Sequence, residues 1–237
     1  MNTPHALEVE LFGHWICPYS TRVSFALAER EITHRLTDVP PTAARPTGFT
    51  VPAAFLANSP KGEIPMLRIG NEYLADSIPI LRWLEDRITQ NPMLPTAGPE
   101  RSTVLARASR IDAVLYPAMI GIYYGVEDAS INRASHQLDA ALSEIAEWLK
   151  PTGWLAGGAI TMAESILVPF YVRLDGLRHL GFDHDVNSTI EAHRLRLEER
   201  PSFDSVRWNQ QQTEEFVGRF RAYRSQRKRI AANESAS

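Results

Sequence analysis

The chain has 237 residues, of which 44% are hydrophobic and 22% are charged. This length allows one large domain or two small ones, and the composition is that of a folded protein, which excludes disorder throughout. The 25 Lys and Arg residues against 28 Asp and Glu residues give a formal net charge of −3. A balance so close to neutrality argues against a dedicated nucleic-acid binder, which carries a strong basic excess.

A single cysteine, Cys17, excludes an intrachain disulfide and any Cys-rich zinc site. The seven histidines form no His-x-x-x-His or His-x-His pair, so we predict no metal site. The start of the chain lacks the basic and apolar regions of a signal peptide. The longest uncharged apolar run, 113–126, contains Pro117 and is shorter than the roughly 20 residues of a membrane span. We therefore expect a cytoplasmic protein without a membrane span.

The first part of the chain alternates strand and helix patterns. Period-two alternation predicts the strands, apolar residues at helical spacing predict the helices, and Gly70-Asn71 suits the tight turn of a hairpin. The predicted elements are, in chain order, a strand at 7–11, a helix at 18–30, a strand at 35–39, a proline-rich loop at 40–52, a short helix at 53–58, a hairpin at 66–75 and a helix from near Ser77.

The rest of the chain has only helical patterns. We predict helices at 101–124 with a bend at Pro117, at 135–149, at 161–180 with a kink at Pro169, at 189–200 and at 210–227. Thr161 and Glu164 have the spacing of a capping box at the start of the third of these helices. The predicted organisation is an α/β domain at 1–91, a linker at 92–99, an all-helical domain at 100–230 and a frayed tail at 231–237.

The first candidate reactive group lies in Cys17-Pro18-Tyr19-Ser20, between a predicted strand and a predicted helix. The free N–H groups and positive dipole end of a helix start stabilise an anion, which favours a reactive thiolate at Cys17. Because Ser20 occupies the fourth position, a dithiol relay within the chain is impossible. The alternative is that Cys17 is a small buried apolar residue. His14 is near enough in sequence to influence the thiol, or it is a solvated loop residue.

Two further motifs carry possible binding groups. In Ile64-Pro65, a cis proline would expose the backbone of Ile64 to an extended peptide, whereas a trans proline would simply begin an edge strand. In Asp76-Ser77, the Ser77 hydroxyl and the helix start suit a carboxylate, and the Asp76 carboxylate suits an ammonium group. The alternative for this pair is a plain helix N-cap.

Taken together, these motifs resemble the cytosolic glutathione transferases, over about residues 7–224. The Cys-Pro-aromatic sequence at Cys17 is most similar to the Cys-type, omega-like members. Leu155-Ala156-Gly157-Gly158 before the capping box and Arg200-Pro201-Ser202-Phe203 also resemble family segments, although the family more often has Asp at the position of Glu164. The resemblance implies a thioredoxin-like N-terminal domain followed by an all-helical C-terminal domain.

The resemblance also implies residue roles. Cys17 would be catalytic and form a mixed disulfide with glutathione, the co-substrate. Ile64 would bind the cysteinyl unit of glutathione through its backbone, with Pro65 cis, and Asp76 and Ser77 would hold the γ-glutamyl end. The basic residue that binds the glycyl carboxylate in omega-like enzymes would fall in the 40–52 region, where this chain does not align.

The same resemblance implies a pocket for the acceptor substrate and an oligomeric state. Tyr19 and Tyr116 are our candidates for the acceptor-substrate pocket, with a core position as the alternative for both. The family also implies a homodimer.

Three functions remain open from the sequence. The first is glutathione-dependent thiol transfer or deglutathionylation through Cys17. The second is conjugation of glutathione to a hydrophobic electrophile, or ether cleavage, with Cys17 stabilising the glutathione thiolate. The third is a non-catalytic regulatory or binding protein on the same fold.

Overall fold

The computed structural model describes residues 8–235, and the chain divides into two compact units. The first comprises Met1–Leu94 and Pro201–Val206, and the second comprises Pro95–Arg200 and Arg207–Ser237, each within the described part of the chain. The first unit holds the sheet, and the second is helical. The sequence did not predict that 201–206 belongs with the first unit. There the Ser202 hydroxyl donates to the Glu29 carboxylate at 2.6 Å, a contact between residues far apart in sequence.

The elements follow the predicted order closely. The strands are β1 Val9–Gly13, β2 Arg35–Asp38, β3 Met66–Ile69 and β4 Glu72–Ala75. The helices are α1 Pro18–Glu29, α2 Ala53–Asn58, α3 Ser77–Arg87, α4 Gly98–Tyr124, α5 Asp128–Leu149, α6 Met162–Leu180, α7 Ser188–Glu198, α8 Pro201–Asp204 and α9 Gln210–Ser235. The predicted hairpin and short helix have their predicted bounds, whereas β1 ends later than expected, and Leu7 lies outside the described residues. A short 3₁₀ helix, Thr42–Ala44, interrupts the proline-rich loop.

Two helical expectations were wrong in their limits. Helix α5 begins at Asp128, well before the predicted Ser135. Helix α9 continues to Ser235, so the segment from 231 is helical where we expected a frayed tail, and 236 and 237 lie outside the described residues. No Gly or Pro occurs between Gly218 and Ser235 to end that helix. Pro117 and Pro169 both lie inside continuous helices.

Strand β1 is the centre of the sheet. The strand order is β2-β1-β3-β4, with β1 parallel to β2 and antiparallel to β3. Because side chains alternate along a strand, β1 supplies two cores. Val9 and Leu11 pack with Val23 and Leu27 of α1 and with apolar residues of α3. Phe12 packs on the other face with Phe55 of α2. The sheet is therefore covered by α1 and α3 on one face and by α2 on the other.

Helix α6 is the most buried element of the second unit, and its start is fixed by the predicted capping box, which is confirmed. The Thr161 hydroxyl accepts from the Ala163 N–H at 3.3 Å, and the Glu164 carboxylate accepts from the Thr161 N–H at 2.7 Å. The same carboxylate accepts from the Leu155 N–H at 2.6 Å. Glu164 therefore fixes both the helix start and the loop before it.

The described residues 8–235 contain no helix that is both long and apolar enough to cross a membrane.

A buried carboxylate, that of Glu10, lies on the central strand. It is paired with Arg35 at 2.6 Å and Arg68 at 3.0 Å, and it accepts from the Thr37 hydroxyl at 2.5 Å. Burial acts to raise the pKa of Glu10, but the hydrogen bonds from Thr37 and Arg35 and the charges of both arginines outweigh it and hold the pKa below its usual range. Glu10 thus joins β1 to both neighbouring strands.

We predict that Glu10 makes the free energy of unfolding depend on pH in the acidic range. Because its folded-state pKa is depressed, its contribution is complete above the unfolded-state pKa of about 4.3 and is lost as pH falls toward the folded-state value. Glu10→Gln should lower the free energy of unfolding at pH 7 by about 1–3 kcal/mol and flatten its decline between about pH 5 and 3. Urea unfolding at several pH values measures both effects.

The matched control is Glu8→Gln, because Glu8 is exposed and contacts the same Arg68 at 2.7 Å. An exposed ion pair contributes about 0–1 kcal/mol, so this variant should retain the parent's pH profile. Equal effects of the two substitutions would contradict the assignment.

Candidate functional site

Cys17 is held where β1 passes into α1. It occupies the N-cap position of α1 with an extended backbone, φ −83° and ψ 119°. Its N–H donates to the His14 carbonyl at 3.0 Å, and its carbonyl accepts from the Thr21 N–H at 3.0 Å and the Thr21 hydroxyl at 3.1 Å. The residue is only 7% exposed, and its side chain makes no cap hydrogen bond to the helix. The backbone thus fixes the sulfur at the helix start and leaves it available to another partner.

That partner is the carbonyl of Ile64. The Cys17 thiol donates to it with a Sγ–O distance of 3.8 Å. The Ile64–Pro65 peptide bond is cis, as the resemblance implied. Ile64 itself is half-buried, and none of the hydrogen bonds found between residues 8 and 235 uses its N–H. The turn before β3 therefore presents a backbone edge beside the thiol.

Ser20 and His14 shape the turn that carries Cys17. The Ser20 hydroxyl accepts from the His14 N–H at 3.4 Å, and a Cβ on Gly13 would approach its oxygen to 3.0 Å. His14 Nδ1 accepts from the Ile16 N–H at 3.1 Å, while its Nε2 lies 3.8 Å from the Asp38 carboxylate. Because Nδ1 is an acceptor, these bonds assign the ring proton to Nε2, on the side facing Asp38. The structure therefore gives both residues a role in forming the turn.

Asp76 and Ser77 form the start of α3 in different environments. Asp76 has φ 68° and ψ 136°, a conformation rare for a non-glycine residue, and its side chain makes no cap hydrogen bond. Its carboxylate is 56% exposed and lies 3.7 Å from Lys61. Ser77 is 5% exposed. Backbone held in such a sparsely populated conformation clusters at active sites and ligand sites, which makes the start of α3 a candidate binding position.

Arg22 contacts the candidate site residue Ser77, and sequence reasoning missed it. It is fully buried in α1, and its Nη1 donates to the Ser77 hydroxyl oxygen at 3.2 Å. Its guanidinium carbon also lies 4.9 Å from the centre of the Tyr19 ring. The available signal was a charged residue beside Val23 on the apolar side of a helix, where a cation needs a specific partner.

The two candidate acceptor residues have different surroundings. Tyr19 is half-buried in the first unit, beside Arg22. Tyr116 lies in α4 of the second unit, is 2% exposed, and donates its hydroxyl to the Ile166 carbonyl at 2.9 Å. The hydroxyl of Tyr116 is thus used inside the helical unit, while the acceptor-pocket role of both residues stays a prediction.

The proline-rich segment 40–52 contains one basic residue, Arg45. Its guanidinium donates to the Pro40 carbonyl at 3.3 Å and 3.4 Å. The one basic side chain of this segment therefore binds the backbone of the segment itself.

Within the part of the chain that the structure describes, no group of three or more His, Cys, Asp or Glu side chains is arranged to hold a metal ion.

Comparison with known proteins agrees with this geometry. Residues 16–87 match the model of the glutathione S-transferase N-terminal domain, a range that includes Cys17, Ile64, Asp76 and Ser77. A probable maleylacetoacetate isomerase of Vibrio cholerae is 26% identical over 83% of this chain and 94% of its own length.

Two solved structures share the fold of most of the chain. Glutathione transferase Omega 3C from Trametes versicolor has a TM-score of 0.76 and 19% identity, with 94% of each chain covered. Rice GST1, solved in complex with glutathione, has a TM-score of 0.80 and 19% identity over 94% of this chain and 98% of that one. At this identity the likeness concerns the fold alone. Residues 16–87 therefore match the glutathione S-transferase N-terminal domain, and the chain has the thioredoxin-like and helical architecture of the glutathione transferase fold.

Proposed function

We propose that this protein is a glutathione-dependent thiol transferase in which Cys17 is the nucleophile. The observation that carries this proposal is the position of the Cys17 sulfur, at the start of α1 and 3.8 Å from the Ile64 carbonyl. A helix start favours a thiolate, and the adjacent backbone edge suits a short peptide whose own sulfur must reach Cys17.

Glutathione would bind along three groups of the first unit. Its cysteinyl backbone would pair with Ile64, whose N–H is free of bonds to the described residues and whose carbonyl faces the thiol. The γ-glutamyl carboxylate would accept from the Ser77 hydroxyl and the first N–H groups of α3. The γ-glutamyl ammonium would pair with Asp76, whose carboxylate is exposed.

The chemistry is two successive thiol–disulfide exchanges. The Cys17 thiolate attacks the glutathionyl sulfur of a mixed disulfide between glutathione and a substrate thiol. The substrate leaves as a thiolate, which takes a proton from water. The thiolate of a second glutathione then attacks the glutathionyl sulfur on Cys17, which forms oxidised glutathione and regenerates the Cys17 thiolate. Each exchange breaks one S–S bond and forms another, so a single cysteine suffices.

A second candidate comes from the relatives named maleylacetoacetate isomerase, one of which matches most of this chain. In that reaction glutathione would add to a cis double bond and leave again, and Cys17 would assist a bound glutathione thiolate without bonding to it. In conjugation and ether cleavage, Cys17 would likewise stabilise the bound glutathione thiolate without forming a bond to it. The two classes therefore differ in whether a covalent Cys17–glutathione adduct is an intermediate.

We predict that Cys17→Ala abolishes glutathione–disulfide exchange, because no other thiol exists in the chain. The variant should still bind glutathione within a few-fold of the parent, since Ile64, Asp76 and Ser77 are unchanged. Cys17→Ser should also lose exchange, but its hydroxyl can still donate to a bound thiolate and support conjugation or isomerisation.

The decisive measurement is mass spectrometry after incubation with oxidised glutathione. One glutathione adduct on Cys17 supports thiol transfer. Turnover of an aromatic halide or of maleylacetoacetate without an adduct, retained in Cys17→Ser, would replace it with the second candidate. Glutathione binding with neither outcome would indicate a non-catalytic protein.

We predict that Ser77→Ala weakens glutathione binding more than Asp76→Ala does. Ser77 is buried and would make a charge-assisted bond of about 1.5–3 kcal/mol, which is roughly tenfold to a hundredfold in affinity. Asp76 is exposed and already lies near Lys61, so its ion pair should contribute about 0.2–1 kcal/mol. Calorimetry of both variants measures which substitution lowers the affinity for glutathione more, with Asp185→Ala, at an exposed position, as the control. Unchanged glutathione binding in both variants would exclude this site.

We also propose a homodimer, which the resemblance implies. Sedimentation at micromolar concentration should give twice the chain mass of 26.6 kDa. A species at the mass of one chain would contradict the proposal.

A further inference from the structure

Arg22 joins the interior of the first unit to the proposed ligand site. Its side chain is completely buried, and its Nη1 reaches the Ser77 oxygen at 3.2 Å. A guanidinium is costly to bury unless its N–H groups are used, so its orientation is strongly constrained. Its guanidinium carbon also lies over the Tyr19 ring, 4.9 Å from the ring centre, a contact that stabilises a cation.

The hydrogen bond to Ser77 has a definite direction. Arginine is only a donor, so the Ser77 oxygen accepts, and one of its lone pairs is occupied. The hydroxyl proton of Ser77 then remains for a second acceptor. A hydroxyl that accepts from a cation is polarised and becomes a stronger donor, particularly where little water competes. Ser77 is 5% exposed, which meets that condition.

We propose that Arg22 is a positioning residue that makes Ser77 selective for a carboxylate, namely the γ-glutamyl α-carboxylate of glutathione. This inference rests on the proposed function, because it requires glutathione to bind at Ser77. Arg22 does not touch the ligand. It acts through Ser77, by occupying a lone pair of the hydroxyl oxygen so that the hydroxyl proton is left to donate to the carboxylate. The exposed Asp76 supplies the negative charge for the ligand's ammonium.

A purely structural role for Arg22 gives different expectations. A residue that only supports α1 and α3 would, when replaced, weaken every ligand of the site alike. A residue that acts through Ser77 affects only ligands with the α-carboxylate, and only while Ser77 keeps its hydroxyl. The two roles are therefore separated by changing the ligand and by combining the substitutions.

The test is calorimetry of the full-length protein with two ligands, glutathione and γ-aminobutyryl-cysteinylglycine, which is glutathione without its α-carboxylate. We expect Arg22→Met to weaken glutathione about tenfold, as for loss of a charge-assisted bond, and to change the affinity for the analogue less than twofold. Arg22→Met combined with Ser77→Ala should bind glutathione no more weakly than Ser77→Ala alone. Equal weakening of both ligands, or additive losses in the double variant, would overturn the proposal.

Arg22→Lys keeps the test valid if Arg22→Met does not fold. A lysine retains the charge and a donor but lacks the fixed fork of a guanidinium. It should recover part of the affinity for glutathione and bind the analogue like the parent, whereas losses of equal size for both ligands would overturn the proposal. If the parent itself binds no glutathione, the proposed function fails. If the parent binds glutathione with a carboxylate preference that Arg22 does not alter, only the role of Arg22 fails.

Discussion

The contact between the Cys17 sulfur and the Ile64 carbonyl depends on the pairing of two strands. Strands β1 and β3 are antiparallel, with Phe12 opposite Met66. The end of β1 and the start of β3 therefore meet at one edge of the sheet, which brings the turn that contains Cys17 beside the turn that contains Ile64. A shift of this register would separate the two groups, so the apolar residues that fix the register also fix the site.

Charge is distributed unequally around this edge. Behind the start of α3, the buried Arg22 contacts Ser77, and on its outer side the exposed Asp76 lies near Lys61. A ligand that carries a carboxylate and an ammonium group on one carbon atom matches such a pair of environments. The buried charge is shielded from salt and the exposed one is not, which is why we expect the two ends of the ligand to contribute unequally.

The sequence predicted the features that depend on local chemistry. The hairpin follows from Gly70-Asn71, the capping box from the spacing of Thr161 and Glu164, and the position of Cys17 at the start of α1 from Pro18. The family resemblance then pointed to glutathione. The hairpin, the capping box and the start of α1 are confirmed, because each depends on residues within a few positions of one another.

Features that depend on distant residues were not predicted. Residues 201–206 return to the first unit, where Ser202 contacts Glu29, and Arg22 contacts Ser77; no spacing rule connects the members of either pair. His14 was considered as a neighbour of the thiol, but its ring bonds instead form the turn.

The central claim, covalent catalysis by Cys17, is tested most directly by a crystal structure with oxidised glutathione. It should contain a disulfide between Cys17 and a glutathionyl group that lies along Ile64, with the γ-glutamyl carboxylate on Ser77. An unmodified Cys17 thiol with the glutathione sulfur directed away from it would contradict the claim.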